Sequence, residues 1–214
     1  MTDSTSSLSA SADLIGSGGL DEETARAEIY GLLSALYYAV PSPALLGQLR
    51  VAATEAPAQG AFLEEPWQVL VGLARQMPDQ AITSEFNALF GGMGKPEVYL
   101  FGSHYLSGFL NEKPLAALRT DLAQLGLARD EAMNETEDHF AYLCEVMRYL
   151  IAGDDVAVAN LTSQRVFFGD HLHPWVLRMA DAVEAHPKAK FYAALAGFTR
   201  AFMSVESQGF DMLA

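Results

Sequence analysis

The sequence predicts an all-α fold of roughly eight to ten helices in one globular domain, and three observations predict it. Apolar residues recur at three- and four-residue spacing through nearly every segment. Prolines and glycines fall at the edges of those segments, where helices start and stop. No pair of alternating, strand-like runs and no internal repeat interrupts the pattern. With 214 residues, 50% of them hydrophobic, the chain has enough apolar mass to bury a core without staples.

Taken in order, residues 1–19 are rich in Ser and Gly and bury too little to offset ordering entropy, so they are expected as a flexible tail before a helical domain at 20–214. From Asp21 the residues Ile29, Leu32, Leu33, Leu36, Tyr37 and Val40 make one apolar stripe, which Pro41 stops. Ser42 and Pro43 read as a cap and a first-turn proline for a second helix to about Ala53. Pro66 sits near the start of a third, carrying Trp67, Leu70, Val71 and Ala74. After Pro78, Ile82, Phe86, Leu89 and Phe90 define a fourth, ending in the glycine cluster at 91–94.

Ser103 is positioned to cap a short helix containing Leu106, Phe109 and Leu110. Pro114 opens one with Leu115, Leu118, Leu122 and Leu125 on one side and Gly126 as its stop. Helices over Thr136–Ala152, Asp154–Phe168, Pro174–Ala185 and Ala189–Gln208 complete the set, the last with Phe191, Leu195, Phe198, Phe202 and Val205 in helical register.

Charge narrows the function. The formal net charge is −14, from 27 acids against 13 bases, so the average surface repels nucleic-acid backbones and anionic lipid and favours basic partners. Cys144 is alone and lies in an apolar helical run, which suits a small core residue in a reducing compartment. The start has no basic segment followed by an apolar run, and nothing approaches the roughly 18 apolar residues of a membrane span. A cytoplasmic protein without stable membrane association is expected.

Several catalytic patterns fail on inspection. The glycine cluster is no phosphate-binding loop, because Leu89 and Pro96 occupy the places that need Gly and Ser or Thr. No Glu-x-x-His occurs, so the paired-carboxylate di-iron pattern is missing. His171 and His173 are two apart, on different sides of a helix, and read as structural or capping residues rather than metal ligands. His186 suits a helix C-terminus. Cys144 shares a stripe with Phe140, Leu143, Met147 and Leu150, and no Gly-x-Ser-x-Gly is present. No enzyme, cofactor or metal is predicted.

One stretch stands apart, "NETEDHFAYLCEVMRYLI" from Asn134 to Ile151. Asn134 or Thr136 can cap a helix there, with Glu137 completing a capping box and the acids favouring the positive helix end. That structural reading is the stronger one from the residues alone, but it explains His139 poorly, since a histidine in a first turn needs a partner such as Asp138 or a ligand. On helical geometry Asp138 shares a side with Tyr142 and Glu145 while His139 borders the apolar stripe, so an acidic, hydrogen-bonding ridge abuts apolar surface. A binding surface is the alternative.

The segment "ETEDHFAYLCEVMRYL" resembles the Glu-Pro-x-Asp-His helix start of the TorD/DmsD/NarJ redox-enzyme maturation chaperones, and "FFGDHLHPWVLRMADAV" resembles their His-Leu-x-Pro-Trp segment. "EFNALFGGMGKPEVYLFGSHYL" is similar to the family's aromatic, glycine-loop, proline and tyrosine run, and the matches keep family order from about Asp21 onward. Two departures stand out: Thr136 replaces a usual proline, and Pro96–Tyr99 is a shortened proline-rich run. "GKPEVYLFGSHYLSGFLNEKPLAALRTDL" looks most like formate-dehydrogenase-linked members.

The resemblance implies a cytoplasmic chaperone, monomer or domain-swapped dimer. It would bind the twin-arginine signal peptide and catalytic subunit of a molybdoenzyme and delay export until cofactor insertion. Carried over residue by residue, the implied signal-binding set is Asp138 and His139, with Glu135 nearby, the aromatic region Phe86, Phe90 and Tyr99, and the turn Pro174–Trp175. Two other classes compete: a helical adaptor that grips the folded body of an enzyme subunit, and a helical metal enzyme.

Overall fold

The computed structural model describes residues 22–54, 63–91, 95–110, 112–129 and 134–212. The expected tail and residues 92–94 of the glycine cluster lie outside them. Ten α-helices are formed among the described residues, and extended pairing is limited to one antiparallel bridge, Phe101 to His139.

Helix α1 (Glu22–Tyr38) begins with two acids at the positive end of its dipole and buries Tyr30, Leu33, Leu36 and Tyr37. It packs along α7 (Phe140–Ala152), whose Phe140, Leu143, Cys144, Met147 and Leu150 supply the matching stripe. Cys144 is fully buried, and burial pushes its thiol well above the usual range, so it packs as a small apolar residue.

Helices α2 (Pro43–Val51) and α3 (Glu64–Gln76) form a pair against this core. Ser42 caps α2, its hydroxyl accepting from the Leu45 N–H at 3.2 Å, with Pro43 in the first turn as expected. Arg50 donates to the carbonyls of Ala74 and Met77, and Arg75 to those of Arg50 and Ala52, so each helix end supplies donors for the other's orphan carbonyls. Helix α4 (Asp79–Leu89) follows, and Leu89 accepts from the N–H of Val98.

Helix α5 (Gly102–Ser107) is short and ends at Gly108, whose φ of 82° breaks the helix. The expected cap, Ser103, is its second residue, and Phe109 and Leu110, expected inside the helix, lie beyond its end with Phe109 71% exposed. Helix α6 (Lys113–Gln124) stops at Gly126 as expected, with φ 71° and a return bond from the Leu127 N–H to the Leu122 carbonyl.

Helix α8 (Leu161–His171) starts seven residues later than the Asp154 expected for it. The Asp155 carboxylate accepts from the Ala157 N–H, turning the chain, and Asn160 then caps the helix through the Ser163 N–H. Helix α9 (Val176–Glu184) leads into α10 (Phe191–Asp211), which crosses α9, α3 and α4 and buries Phe191, Tyr192, Leu195, Phe198 and Phe202. The start of α10 is capped from a distance. Glu85 of α4 is buried, and its two carboxylate oxygens accept from the N–H groups of Lys190, Phe191 and Tyr192 at 2.7, 3.2 and 2.7 Å.

Candidate functional site

Residues 134–139 do not form the helical turn that their composition suggests. The Asp138 side chain is drawn inward, 3% exposed, where Oδ2 accepts from the Ser103 N–H at 2.9 Å and Oδ1 from the Thr136 hydroxyl at 2.6 Å. Its main-chain carbonyl accepts from the Gly102 N–H at 2.9 Å, and the Phe140 N–H donates to the Leu100 carbonyl at 2.7 Å. Asp138 thus fastens the Leu100–Ser103 segment to the start of α7, and α7 begins at Phe140 instead of Thr136. Neither Asn134 nor Thr136 is the cap.

His139 is. It sits at φ −65°, ψ 133°, and its Nδ1 accepts from the Ala141 N–H at 3.2 Å. Burial lowers its pKa to about 4 against the opposing pull of Asp138. At neutral pH the ring is therefore uncharged, with Nδ1 the acceptor and the proton on Nε2. This answers the puzzle of a histidine at a helix start: a neutral imidazole caps the helix as an Asn would.

Behind this hub stands Trp175, 1% exposed. Its indole N–H donates to the His171 carbonyl at 2.6 Å, and the His171 ring meets Asp121 at 2.9 Å, tying α6, α8 and α9 together. Gly102 presses against the indole so closely that a β-carbon there would lie 3.0 Å from Nε1. Tyr105 stacks on Trp175 at 5.5 Å and Tyr99 on His104 at 4.2 Å. The Ser103 hydroxyl is buried and has no hydrogen-bond partner among the described residues, beside a cavity of about 10 Å³ bordered by Asp138, Leu143, His171 and Trp175.

In front of the hub lies an aromatic surface. The Phe101, Tyr142 and Tyr38 rings surround His139 at centroid distances of 5.0, 5.7 and 6.3 Å. Tyr38 is 41% exposed, and its hydroxyl lies 3.5 Å from that of Tyr142. Burial and the Tyr38 contact push Tyr142 up to about 12. Glu135 sits half-buried at the rim, its N–H 3.4 Å from the Tyr142 hydroxyl, while Glu137 is held by both guanidinium arms of Arg119 at 3.0 and 2.8 Å.

The fold corrects the expected exposed acidic ridge. Asp138 is interior, Glu137 is engaged by Arg119, and only Glu135 stands at the aromatic edge. Phe86 and Phe90 are half-buried and pack on Tyr192 at 5.8 and 5.1 Å, Phe90 also touching Tyr37 at 6.0 Å, so they line the core side. Tyr99 is half-buried, and Pro174 is exposed beside the buried Trp175. The 98–105 segment gathers Asp138, His139, Trp175 and Tyr99 around itself. Tyr38, Phe101 and Tyr142 were not singled out in sequence as site residues; Tyr38 is exposed, Phe101 half-buried and Tyr142 buried. Their signal was available in two aromatics flanking predicted helix edges, Tyr38 just off the α1 stripe and Tyr142 three residues after His139.

Among the described residues no group of three or more His, Cys, Asp or Glu side chains is arranged to hold a metal ion, and no helix is long and apolar enough to cross a membrane. His186 meets Glu97 at 2.7 Å just past the end of α9.

Fold and site together define an all-helical scaffold with an aromatic cluster built on a buried polar hub. A family model described as nitrate reductase delta subunit matches residues 57–181, more than half of the sequence and including the hub, and the chain belongs to that family. It is 28% identical over 133 residues to the chaperone protein TorD of Aliivibrio fischeri, a match covering 58% of this chain and 62% of that relative. To the chaperone protein TorD of Vibrio cholerae it is 24% identical over 204 residues, covering 88% of this chain and 93% of the relative. A crystal structure of a redox enzyme maturation protein from Archaeoglobus fulgidus shares the fold, with a TM-score of 0.52 at 20% identity over 85% of this chain and 93% of that one. The resemblance to the redox-enzyme maturation chaperones thus holds at the level of family and fold.

Proposed function

We propose that this chain is a cytoplasmic chaperone that binds the twin-arginine signal peptide of a molybdenum-cofactor oxidoreductase, a formate dehydrogenase in the reading of its 94–122 stretch, and delays export until the cofactor is inserted. The observation that carries the proposal is an aromatic cluster around His139, with Tyr38 exposed, Phe101 half-buried and the half-buried Glu135 at its edge, built directly on the Asp138–His139 hub of a chain whose relatives are named chaperones. A twin-arginine signal begins with a cation pair and continues as an apolar stretch, so its receptor needs an acid beside apolar or aromatic surface.

Within the proposed set the roles divide. Glu135, with Tyr38 and Phe101, faces the peptide, and the buried Tyr142 supports them from behind; Tyr99 and Pro174 border the same segment. Asp138, His139 and Trp175 hold the 100–103 segment in place, and Phe86 and Phe90 back it from the core. The domain at 20–214 carries this function. Reversible handover suits a dissociation constant around micromolar, about −8 kcal/mol.

The test is a titration of the full chain with a twin-arginine peptide. Glu135→Gln and Tyr38→Ala are expected to weaken binding by about tenfold each, as central interface contacts do. Asp138→Ala is expected to weaken it by displacing residues 100–103. Unchanged affinity in all three, with circular dichroism showing intact helices, rejects the site. An adaptor that grips only the folded body of its partner would keep its affinity when the partner's signal is removed; the chaperone reading expects most of it to vanish.

A further inference from the structure

Glu137 sits in the chain between the rim acid Glu135 and the buried Asp138, and an arginine of the same chain already occupies it. Arg119, on α6, donates through Nε and Nη2 to the two carboxylate oxygens at 3.0 and 2.8 Å. This is the two-pronged geometry in which a guanidinium recognises a carboxylate, one N–H for each oxygen. The partners differ in exposure. The Glu137 side chain is 13% exposed and that of Arg119 51%, so the carboxylate is enclosed and the guanidinium covers its open side. The equally two-pronged Arg26–Glu206 pair is closed on both sides, at 16% and 4% exposed. Burial works to raise the Glu137 pKa, yet the Arg119 hydrogen bonds and charge, with Arg129 adding to the field, hold it below the usual carboxylate range. An ionised carboxylate shaped for a guanidinium thus stands two residues from Glu135.

We propose, on the signal-peptide reading above, that Arg119 is a built-in stand-in for an arginine of the peptide. It occupies Glu137 in the free chain, and the peptide binds by displacing it, so that Glu137 joins Glu135 as the second acid of the site. Two neighbouring arginines call for two carboxylates, and Asp138 is spent inside on Ser103 and Thr136. Glu135 and Glu137 are the half-buried acids of the same segment. The exchange replaces one arginine–carboxylate pair with another of the same chemistry, so it is close to balanced in charge and hydrogen bonding. Ion pairs with an exposed member are individually weak, which lets an incoming guanidinium compete. Once the first arginine and the apolar stretch are seated, the second arginine meets Glu137 at high effective concentration. A lone basic side chain lacks that advantage and leaves Arg119 in place. Arg119 therefore lowers the affinity and selects for the complete signal.

The experiment titrates the full chain with a twin-arginine peptide and compares wild type with Arg119→Gln. Removing the stand-in is expected to tighten binding by about fivefold, the size of an exposed ion pair. It should also steepen the salt dependence, because the variant forms a pair where wild type exchanges one. A mere tether between α6 and residues 134–139 has the opposite sign: its loss loosens the site, and Arg119→Gln then binds more weakly. Arg165→Gln removes the same charge from an exposed position on α8 and should leave the affinity nearly unchanged. Glu137→Gln should weaken binding and, combined with Arg119→Gln, erase the gain. The Arg119 Nε–H, followed by nuclear magnetic resonance, should move on addition of the peptide and stay in place with free arginine at the same concentration. Circular dichroism checks that each variant keeps its helices.

Unchanged or weaker binding by Arg119→Gln overturns the proposal, as does equal tightening in Arg165→Gln or a gain that survives Glu137→Gln. If wild type binds the peptide while the Arg119 Nε–H stays in place, the signal-peptide reading stands and the stand-in role falls. Binding by Arg119→Gln where wild type shows none supports both, and no binding by either protein rejects both.

Discussion

Glu85 and Asp138 are both buried carboxylates that accept backbone N–H groups, yet they sit in different kinds of place. Glu85 takes three N–H donors at the start of α10, where its charge also meets the positive helix end, and Phe86 and the Tyr192 ring pack nearby in the core. Asp138 takes one N–H and one hydroxyl, and the segment it holds carries Phe101 to the aromatic cluster around His139. Similar chemistry thus does two jobs: one carboxylate closes a helix end, and the other fixes the segment whose Phe101 belongs to the surface proposed to meet a partner. The lesson is that burial of an acid says nothing about function until what lies in front of it is known.

The comparison can be broken most forcefully at Glu85. Glu85→Ala removes charge-assisted acceptors and leaves three helix-start donors to find others, an expected loss of about 4 kcal/mol in chemical denaturation. Peptide affinity of the folded fraction should not change. If affinity falls as far as stability, the division between the two carboxylates is wrong.

Next in size is the pH response of His139. Its folded pKa of about 4 lies below the ordinary value of 6.5, so between those values the unfolded chain binds a proton that the folded chain refuses. Stability from this group is therefore fully present above pH 6.5 and falls as pH drops toward 4, by on the order of 3 kcal/mol. His139→Asn keeps a capping acceptor and removes the titration, so its stability curve should be flatter than wild type across that window. Parallel curves would show that the ring is hydrated and charged when folded.

Gly102→Ala comes third. Its β-carbon would stand 3.0 Å from the Trp175 Nε1 and 3.2 Å from Cε2, and the indole is tethered to the His171 carbonyl. An overpacking cost of about 1–2 kcal/mol is expected, together with a change in Trp fluorescence and weaker peptide binding, because the same segment carries Phe101. The smallest effect belongs to Tyr38→Phe. The hydroxyl contact to Tyr142 is long, 3.5 Å, and the residue is exposed, so stability should move by less than about 0.5 kcal/mol. The Tyr142 phenol, in contrast, should titrate at lower pH once the Tyr38 hydroxyl is gone, which a spectrophotometric titration reads directly.

Much of the helical framework was legible without coordinates because its causes are local. The Ser42–Pro43 start of α2, the Gly126 stop of α6 and the apolar stripes of α1, α3 and α10 depend on neighbours within one or two turns. The region around the site was legible in content and misread in shape. Asn134, Thr136 and Glu137 carry every local mark of a helix start, but the Asp138 carboxylate is claimed by the Ser103 N–H, 35 residues earlier in the chain, and Glu137 by Arg119. Those bonds turn the chain and leave His139 as the cap. In the same way Glu85 lies in register with the apolar stripe of Ile82, Phe86 and Leu89, and nothing local accounts for a carboxylate there until the start of α10, more than 100 residues later, arrives on top of it.

By itself the sequence determined the all-α class, most helix stops, the acidic surface and the residues that gather at the hub, since periodicity, capping chemistry and net charge are set by residues close in the chain or by plain composition. Only the tertiary structure decided which acids face inward, that His139 is uncharged, that Tyr38 stands exposed over the buried Tyr142 and His139, and that α1 and α10 leave a cleft between them. The reason is physical: whether a carboxylate is a solvated ridge or a buried anchor depends on donors that distant segments bring to it, and no local pattern records their arrival.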